Sequence, residues 1–186
     1  MTRPSRPSRP SIVLVCLVVA LVGGCAIASV ETPDPGAIPT GPLGTPPDAT
    51  GPSVQLGSGQ AEGLGWRLAI APSGDGWCTE LEVAGAALGG CGDVLPQGDA
   101  AFGSVGSTDM GPNGTQVVQG IAAERVVTVW LVENDTQRRF PATLMPLDPA
   151  GVDGVAFVGF VPADMEVTHL LGVAMSGEIL DTYELP

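Results

Sequence analysis

The sequence contains no lysine, and basic residues of any kind are few. Seven arginines stand against 20 acidic residues in a chain of 186. Beyond residue 25 only four arginines remain with all 20 acidic residues, which gives this part of the chain a net charge of −16. Such a chain cannot neutralise phosphates, so we predict no nucleic-acid partner. We also expect anionic lipid headgroups to repel the folded part, whose acidic residues should form a solvated surface.

Groups that carry out catalysis are equally scarce. His169 is the single histidine, and its apolar neighbours indicate a strand residue rather than a general base. Ser176, His169 and Asp164 could be assembled into a triad, but no Gly-x-Ser-x-Gly motif accompanies the serine. Glu80 and Glu82 resemble the acid pair of a glycosidase, although alternating acids are typical of a solvent-facing strand. We therefore predict that the protein is not an enzyme and has no cofactor and no metal.

Long apolar runs are confined to the N-terminus. Arg3, Arg6 and Arg9 precede the uncharged stretch Ile12 to Val22, which is 11 residues long. A basic start followed by a short apolar region is the pattern of a secretory signal peptide. This order predicts a protein that leaves the cytoplasm.

The end of this leader carries a recognisable motif. Val22-Gly23-Gly24-Cys25 resembles the lipobox of bacterial lipoprotein precursors, which implies removal of residues 1–24 and attachment of a diacylglyceryl group to Cys25. The resemblance implies a lipid-anchored protein on the extracytoplasmic face of the cell membrane. The alternative is an uncleaved transmembrane anchor, because Ser11 to Val30 is free of charge over 20 residues. Both interpretations give the same topology.

The cysteines fit an oxidising compartment. Cys16 lies in the predicted leader and Cys25 would carry the lipid, which leaves Cys78 and Cys91 as an even pair. We predict a disulfide between them, worth about 3 kcal/mol in the chain-entropy model. A metal site would need two further ligands, and no histidine or second cysteine pair is near in the sequence.

Composition divides the rest of the chain into two parts. Residues 25–52 comprise the lipidated cysteine and a segment with seven prolines and four glycines, which we predict to be a disordered linker that holds the protein away from the bilayer. Residues 53–186 contain short, β-branched apolar segments separated by turn residues, as expected for an extracytoplasmic β domain. No window in this part combines helical length and periodicity with freedom from glycine and proline.

The apolar segments predict an all-β domain of about seven or eight strands. Val126 to Val132 is apolar on both faces, as in a central strand, and Ser176-Gly177 suggests a tight hairpin. We expect an immunoglobulin-like β-sandwich in the loose sense, with a small β-barrel as the alternative. The predicted strands are Gly65 to Ala71, Trp77 to Val83, Gln116 to Ala122, Arg125 to Glu133, Arg138 to Met145, Val155 to Val161, Val167 to Met175 and Glu178 to Tyr183.

Aromatic residues suggest the positions of the core. Trp66, Trp77 and Trp130 each lie in a strand pattern, so we predict that all three are core residues. The alternative is an exposed tryptophan patch that binds, for instance, a sugar.

The segment Gly92 to Thr115 is long and rich in glycine. Loops of this length are usually functional or conceal a strand, and its apolar residues suggest a short strand or a plug into the core. A calcium site built from Asp93, Asp99 and Asp109 is the functional alternative, although the spacing matches no EF-hand.

The leader and the β domain together predict a general role. We expect a membrane-anchored, non-catalytic binding or structural module of the cell envelope, whose partners are the membrane and an unknown envelope protein or polymer. The alternatives are an envelope hydrolase that depends on His169 and the acids, and a small solute-binding or sensory lipoprotein.

Overall fold

Three antiparallel sheets make up the part of the chain that the computed structural model describes, which is residues 34–186 except 43, 75, 111–113, 134, 135, 137 and 163. The predicted leader, its lipobox and Cys25 lie outside these residues. Thr32–Pro186 forms a unit of its own by internal contacts, separate from Met1–Glu31. All described strands and both apolar cores belong to Thr32–Pro186, so this unit contains the packing needed to fold as an isolated fragment.

The first sheet is a four-stranded meander of consecutive strands. Its strands, in order, are β1 (Val54–Ala61), β2 (Leu64–Ser73), β3 (Gly76–Val83) and β4 (Ala86–Gly92). Two-residue turns join β1 to β2 and β3 to β4. The residues of these turns, Glu62-Gly63 and Ala84-Gly85, all have positive φ, as tight hairpins with the natural strand twist require.

The other two sheets are built from the remaining eight strands. In chain order these are β5 (Phe102–Met110), β6 (Thr115–Ala122), β7 (Thr128–Glu133), β8 (Arg139–Pro141), β9 (Thr143–Pro146), β10 (Val155–Val161), β11 (Val167–Val173) and β12 (Ile179–Glu184). The second sheet has the order β5-β6-β10-β9 and the third has the order β12-β11-β7-β8. A short 3-10 helix, Asp148–Ala150, follows β9.

The second sheet lies between the other two, because its strands contribute to both apolar cores. On β6, Val117 and Ile121 pack in a first core with the first sheet, whereas Val118 packs in a second core with the third sheet. On β10, Val158 faces the first core and Phe157 the second. Strand β10 is therefore buried on both faces, which explains its unbroken apolar sequence.

The all-β prediction is confirmed, but the number and arrangement of strands differ from the expectation. The described residues contain three sheets rather than two and twelve strands rather than about eight, and their sheets do not close into a barrel. The predicted strand Arg138 to Met145 is divided at Ala142, where the chain passes from the third sheet to the second. Strands β1, β4 and β5 were not predicted as full strands.

Strand β1 was not predicted because its glycines weaken the strand pattern in the sequence. These glycines nevertheless have a role in packing. The ring of Trp66 lies across β1, and a Cβ on Gly59 would come within 3.1 Å of it. A Cβ on Gly57 would meet the Met145 sulfur at 2.6 Å. Strand β1 thus lacks side chains where the first core needs room for larger ones, and this pattern is weak as a sequence signal.

The three tryptophans occupy different environments. Trp66 is buried and contacts Phe160 of β10 with ring centroids 6.1 Å apart, so it joins the first two sheets. Trp77 is partly buried against the same core. Trp130 is only half-buried and belongs to neither core, because it lies on the face of β7 that points away from the second sheet. The core prediction is therefore wrong for Trp130.

Residues 34–52 contact the first sheet, although we predicted a disordered linker there. The Gly65 amide donates to the Pro35 carbonyl at 2.7 Å, and the Thr50 amide donates to the Pro72 carbonyl at 2.8 Å. This described part of the segment covers the outer face of the sheet rather than extending away from it. Strand β2 is buried on both faces, and this segment supplies the covering on its outer face, where Arg67 lies.

Candidate functional site

The predicted disulfide is present between Cys78 and Cys91. The two residues lie opposite each other in the antiparallel pair of β3 and β4, and Cys78 is fully buried. The bridge fastens β4, an edge strand, to the rest of the first sheet. The predicted lipidation site, Cys25, lies outside the described residues.

The possible triad is not assembled. Asp164 lies in the turn before β11, His169 lies within β11, and Ser176 lies in the turn after it. Strand β11 has seven residues, so its ends are about 20 Å apart at the usual rise of a strand. The Nδ1 atom of His169 is 3.2 Å from the hydroxyl of the neighbouring Thr168.

The two alternating acids of β3 lie beneath the covering segment, near Gly41, Pro42 and Gly44, instead of facing open solvent. The side chain of Glu82 is 26% exposed and forms an ion pair with the buried Arg67. Arg67 also donates to the backbone carbonyls of Gly41 and Pro42. Glu80 is half-buried. The expectation that these acids are solvent-facing is therefore wrong, because the covering segment supplies neighbours that the strand pattern could not reveal.

The glycine-rich segment 92–115 conceals strand β5, and its acidic residues have separate neighbours. Asp93 accepts a hydrogen bond of 2.8 Å from the Gln97 side chain, whereas Asp109 lies on β5 opposite Gln116. Among the described residues, no three acidic, histidine or cysteine side chains come together as a possible metal site. The buried Phe102 at the start of β5 is the predicted plug into the core.

A cleft between the first and second sheets is the best-formed candidate site. It has a volume of about 290 Å³ and lies between β3–β4 on one side and β5–β6 on the other. This volume is at the lower end of the range for small-molecule sites. The apolar lining residues are Leu56, Leu68, Leu88, Val117, Ile121 and Ala156.

The polar part of the lining consists of uncharged groups. The polar lining residues are Thr79, Ser104, Ser107, Thr108 and Gln119. None of the described residues that line the cleft carries a charge. The site can therefore offer hydroxyl and amide hydrogen bonds within a mostly apolar wall.

Gln119 is the notable group in this cleft. Its side-chain oxygen is buried and has no hydrogen-bond partner among the described residues. A buried amide oxygen without a partner costs about 1–3 kcal/mol, so such groups are rare and mark places where a partner is absent. This oxygen has almost no accessible surface while the cleft is empty, so it does not open onto the cleft.

Missing side chains create the space beside Gln119. Gly106 is its direct partner across the β5–β6 pair, and Gly90 lies opposite Thr79 across the β3–β4 pair. A Cβ built on either glycine would have nothing within 4 Å. Both glycines therefore open onto empty space, unlike Gly89, whose Cβ would lie 1.9 Å from the Thr79 carbonyl oxygen.

Sequence reasoning did not identify this cleft. A signal existed in β6, where the polar Gln119 lies between the buried apolar residues Val118 and Ile121. No strand was predicted over β4, and the glycines of β5 fell in the segment Gly92 to Thr115, which was expected to be a functional loop or to conceal a strand. Only the pairing of the strands shows that Gly90 and Gly106 line the same cleft as Gln119.

Comparison with known proteins gives no relative. No protein-family model, curated protein or solved structure matches the chain. Within the described residues, no helix is long and apolar enough to cross a membrane.

Proposed function

We propose that this chain is a lipid-anchored extracytoplasmic lipoprotein whose β domain is a non-catalytic binding module of the cell envelope. The observation that carries the anchor is the order of the leader: three arginines, an apolar stretch, and Val22-Gly23-Gly24-Cys25. Acyl chains on Cys25 would hold the protein stably, because each buried methylene contributes about 0.8 kcal/mol and one chain alone is marginal.

The geometry supports binding of a small molecule in particular. The cleft between the first and second sheets combines an apolar wall with a few uncharged polar groups, as small-molecule sites do. Among the alternatives, this favours a solute-binding lipoprotein over a purely structural one. We further propose that the domain belongs to the broad immunoglobulin-like class of β-sandwiches, because neighbouring sheets share apolar cores.

Mass spectrometry of the full chain, expressed in a bacterium and recovered from membranes, tests the anchor. We expect an N-terminus at Cys25 that carries diacylglycerol. An intact leader from Met1 through Cys25 on the membrane-bound protein would contradict the lipoprotein proposal and favour the uncleaved transmembrane anchor.

Two cysteine variants provide the matched comparison. In cells fed a clickable fatty acid, Cys25→Ala should abolish labelling, because the acceptor sulfur is gone. Cys16→Ala should label like the wild type, because that cysteine belongs to the removed leader. Equal labelling of both variants would refute Cys25 as the lipidation site.

A further inference from the structure

We propose that strand β5 is a docking edge for a short extended peptide, which pairs with residues 105–110 as a fifth strand of the second sheet and directs apolar side chains into the cleft. This inference rests on the proposed binding role of the β domain and names the class of molecule that the domain binds. It does not depend on the lipid anchor.

Strand β5 presents an open edge. It is an end strand of the second sheet, so among the described strands it pairs with β6 and with no other. Between Val105 and Met110 it contains no proline, lysine or arginine, and its register with β6 is unbroken. Alternate backbone N–H and C=O groups therefore point away from the sheet, and an extended chain is the partner that pairs with such a row.

The other edges among the described strands are obstructed. In β12 the Thr182 amide donates to the Asp181 carboxylate at 2.8 Å, so this amide is already paired. In β4 the backbone of Gly89 and Gly92 has positive φ, which interrupts the regular spacing of the edge groups. Strand β1 has a register shift after Gln55, and β8 and β9 are only three and four residues long and end in proline. Strand β5 is therefore the edge that is best suited to a further strand.

The chain itself uses the beginning of this edge. The Ser104 amide donates to the Val94 carbonyl at 2.9 Å, and a Cβ on Gly103 would lie 2.1 Å from the same oxygen. The segment at Val94 thus lies against the start of β5. Among the described residues, no backbone group outside β6 bonds to the backbone of residues 105–110. A peptide would continue along the edge from the point where this contact ends.

The cleft provides a place for the side chains of the peptide. Gly106 and Thr108 of β5 line it together with Leu88 of β4 and Val117 of β6. Because side chains alternate between the two faces of a strand, every second residue of a peptide beside β5 would point toward the first sheet. The volume of about 290 Å³ suits a few aliphatic side chains. Burial of their apolar surface would add to the affinity of the backbone pairing.

Charge determines which peptides fit. The described residues that line the cleft are uncharged, whereas the chain beyond residue 25 has a net charge of −16. The acidic residue of β5, Asp109, is exposed. An acidic peptide would therefore be repelled, and so would a second copy of the domain. The partner that fits is a peptide with apolar residues at alternate positions and basic residues at its ends.

Three synthetic peptides test the proposal. The first, acetyl-RTVTVTR-amide, has both valines on one face of an extended chain. The second, acetyl-RTTVVTR-amide, has the same composition but places the valines on opposite faces, and the third, acetyl-ETVTVTE-amide, reverses the charge. Each is titrated into an isotopically labelled fragment of residues 32–186 while the backbone amide signals are followed by NMR.

The three peptides should differ in affinity. We expect the first to bind with a dissociation constant on the order of 0.1–1 mM and to shift the amide signals of residues 105–110. The second should bind about tenfold more weakly because only one valine can enter the cleft. The third should also bind about tenfold more weakly because the acidic domain repels it.

Methylation of the peptide backbone separates strand pairing from other modes of binding. The first peptide is made in two further versions, with N-methyl groups on both valines or on the last two threonines. Each version blocks one edge of the extended chain. One version should bind about tenfold more weakly because its blocked edge faces β5, and the other should bind like the parent peptide. This comparison uses the wild-type fragment, so it does not depend on the folding of a variant.

Two variants locate the site. Gly106→Val should weaken binding of the first peptide by about tenfold, because the new side chain enters the cleft from β5. Gly41→Val is the control: its side chain also enters open space, but outside the cleft, so binding should not change.

Several results would overturn the proposal. Equal binding of the first two peptides would refute the entry of side chains into the cleft, and equal binding of both methylated versions would refute strand pairing. Binding that survives Gly106→Val would place the peptide elsewhere, and a fragment that already dimerises through β5 would assign this edge to a second copy. Absence of binding by all three peptides would reject β5 as a peptide edge. A fragment that begins at residue 32 lacks Cys25, so none of these results bears on the anchor.

Discussion

Removal of the disulfide is the perturbation whose effect the structure defines best. Strand β4 is an edge strand whose neighbour within the first sheet is β3, and it forms part of the wall of the cleft. Cys78 and Cys91 join these two strands across a sequence separation of 13 residues. In the double variant Cys78→Ala, Cys91→Ala, the hairpin keeps its backbone pairing but loses its covalent closure.

The magnitude follows from the length of the closed loop. A bridge between residues this far apart removes loop entropy from the unfolded chain worth about 3 kcal/mol. For a domain of about 150 residues, 1 kcal/mol corresponds to about 2–4 °C in melting temperature. We therefore expect the double variant to melt about 6–12 °C below the oxidised wild type.

Thermal melting of the fragment of residues 32–186, followed by circular dichroism, measures this shift. Reductant should lower the melting temperature of the wild type and leave that of the double variant unchanged. This comparison separates the effect of breaking the disulfide from any other effect of the reductant. Alkylation of the native oxidised protein should find no free thiol among Cys78 and Cys91. A shift below about 2 °C, or two reactive thiols in the native protein, would refute the reasoning.

Two further pairs of variants test the packing of the first sheet. Gly89→Ala should destabilise the domain by about 2 kcal/mol or more because its Cβ would lie 1.9 Å from the Thr79 carbonyl oxygen, whereas the adjacent Gly90→Ala should be tolerated within about 1 kcal/mol. Urea titration measures the free energy of unfolding of both variants. Equal losses of stability would contradict the assigned register of β3 and β4. Arg67→Ala should cost about 2–4 kcal/mol and expose residues 34–52 to proteases, because it leaves a partly buried carboxylate unpaired. The exposed Arg138→Ala, whose ion pair is 4.0 Å long, should change stability by less than about 0.5 kcal/mol, so similar losses for both arginines would refute the structural role of Arg67.

Strands with apolar or alternating sequences were predictable because their local pattern matches their environment. The prediction Val155 to Val161 agrees with β10 at both ends, and Trp77 to Val83 agrees with β3 to within one residue. Strands β1, β4 and β5 were missed because glycine lowers strand propensity. At Gly57 and Gly89 the glycine is required by a neighbour on another strand, and no local pattern can contain that information.

The candidate site was less predictable than the fold. The disulfide could be predicted from the cysteine count, because Cys78 and Cys91 are the pair left once Cys16 of the predicted leader and the predicted lipidation site Cys25 are set aside. The cleft could not, because its lining residues and its open space come from different strands. Gln119 and Gly106 are 13 positions apart in the sequence and become neighbours only through the pairing of β5 with β6.

The sequence by itself determined the all-β class, the disulfide and the acidic character of the chain, because each depends on composition or on patterns within a few residues. It also contains the predicted leader pattern from which we propose the anchor. Tertiary structure alone decided that a middle sheet separates two cores, that the described residues of 34–52 cover the first sheet, and that a cleft lined by uncharged residues lies between the first two sheets. These features arise from contacts between residues far apart in the chain. In such contacts, the size of the side chains on one strand determines which side chains fit on the strand that packs against it.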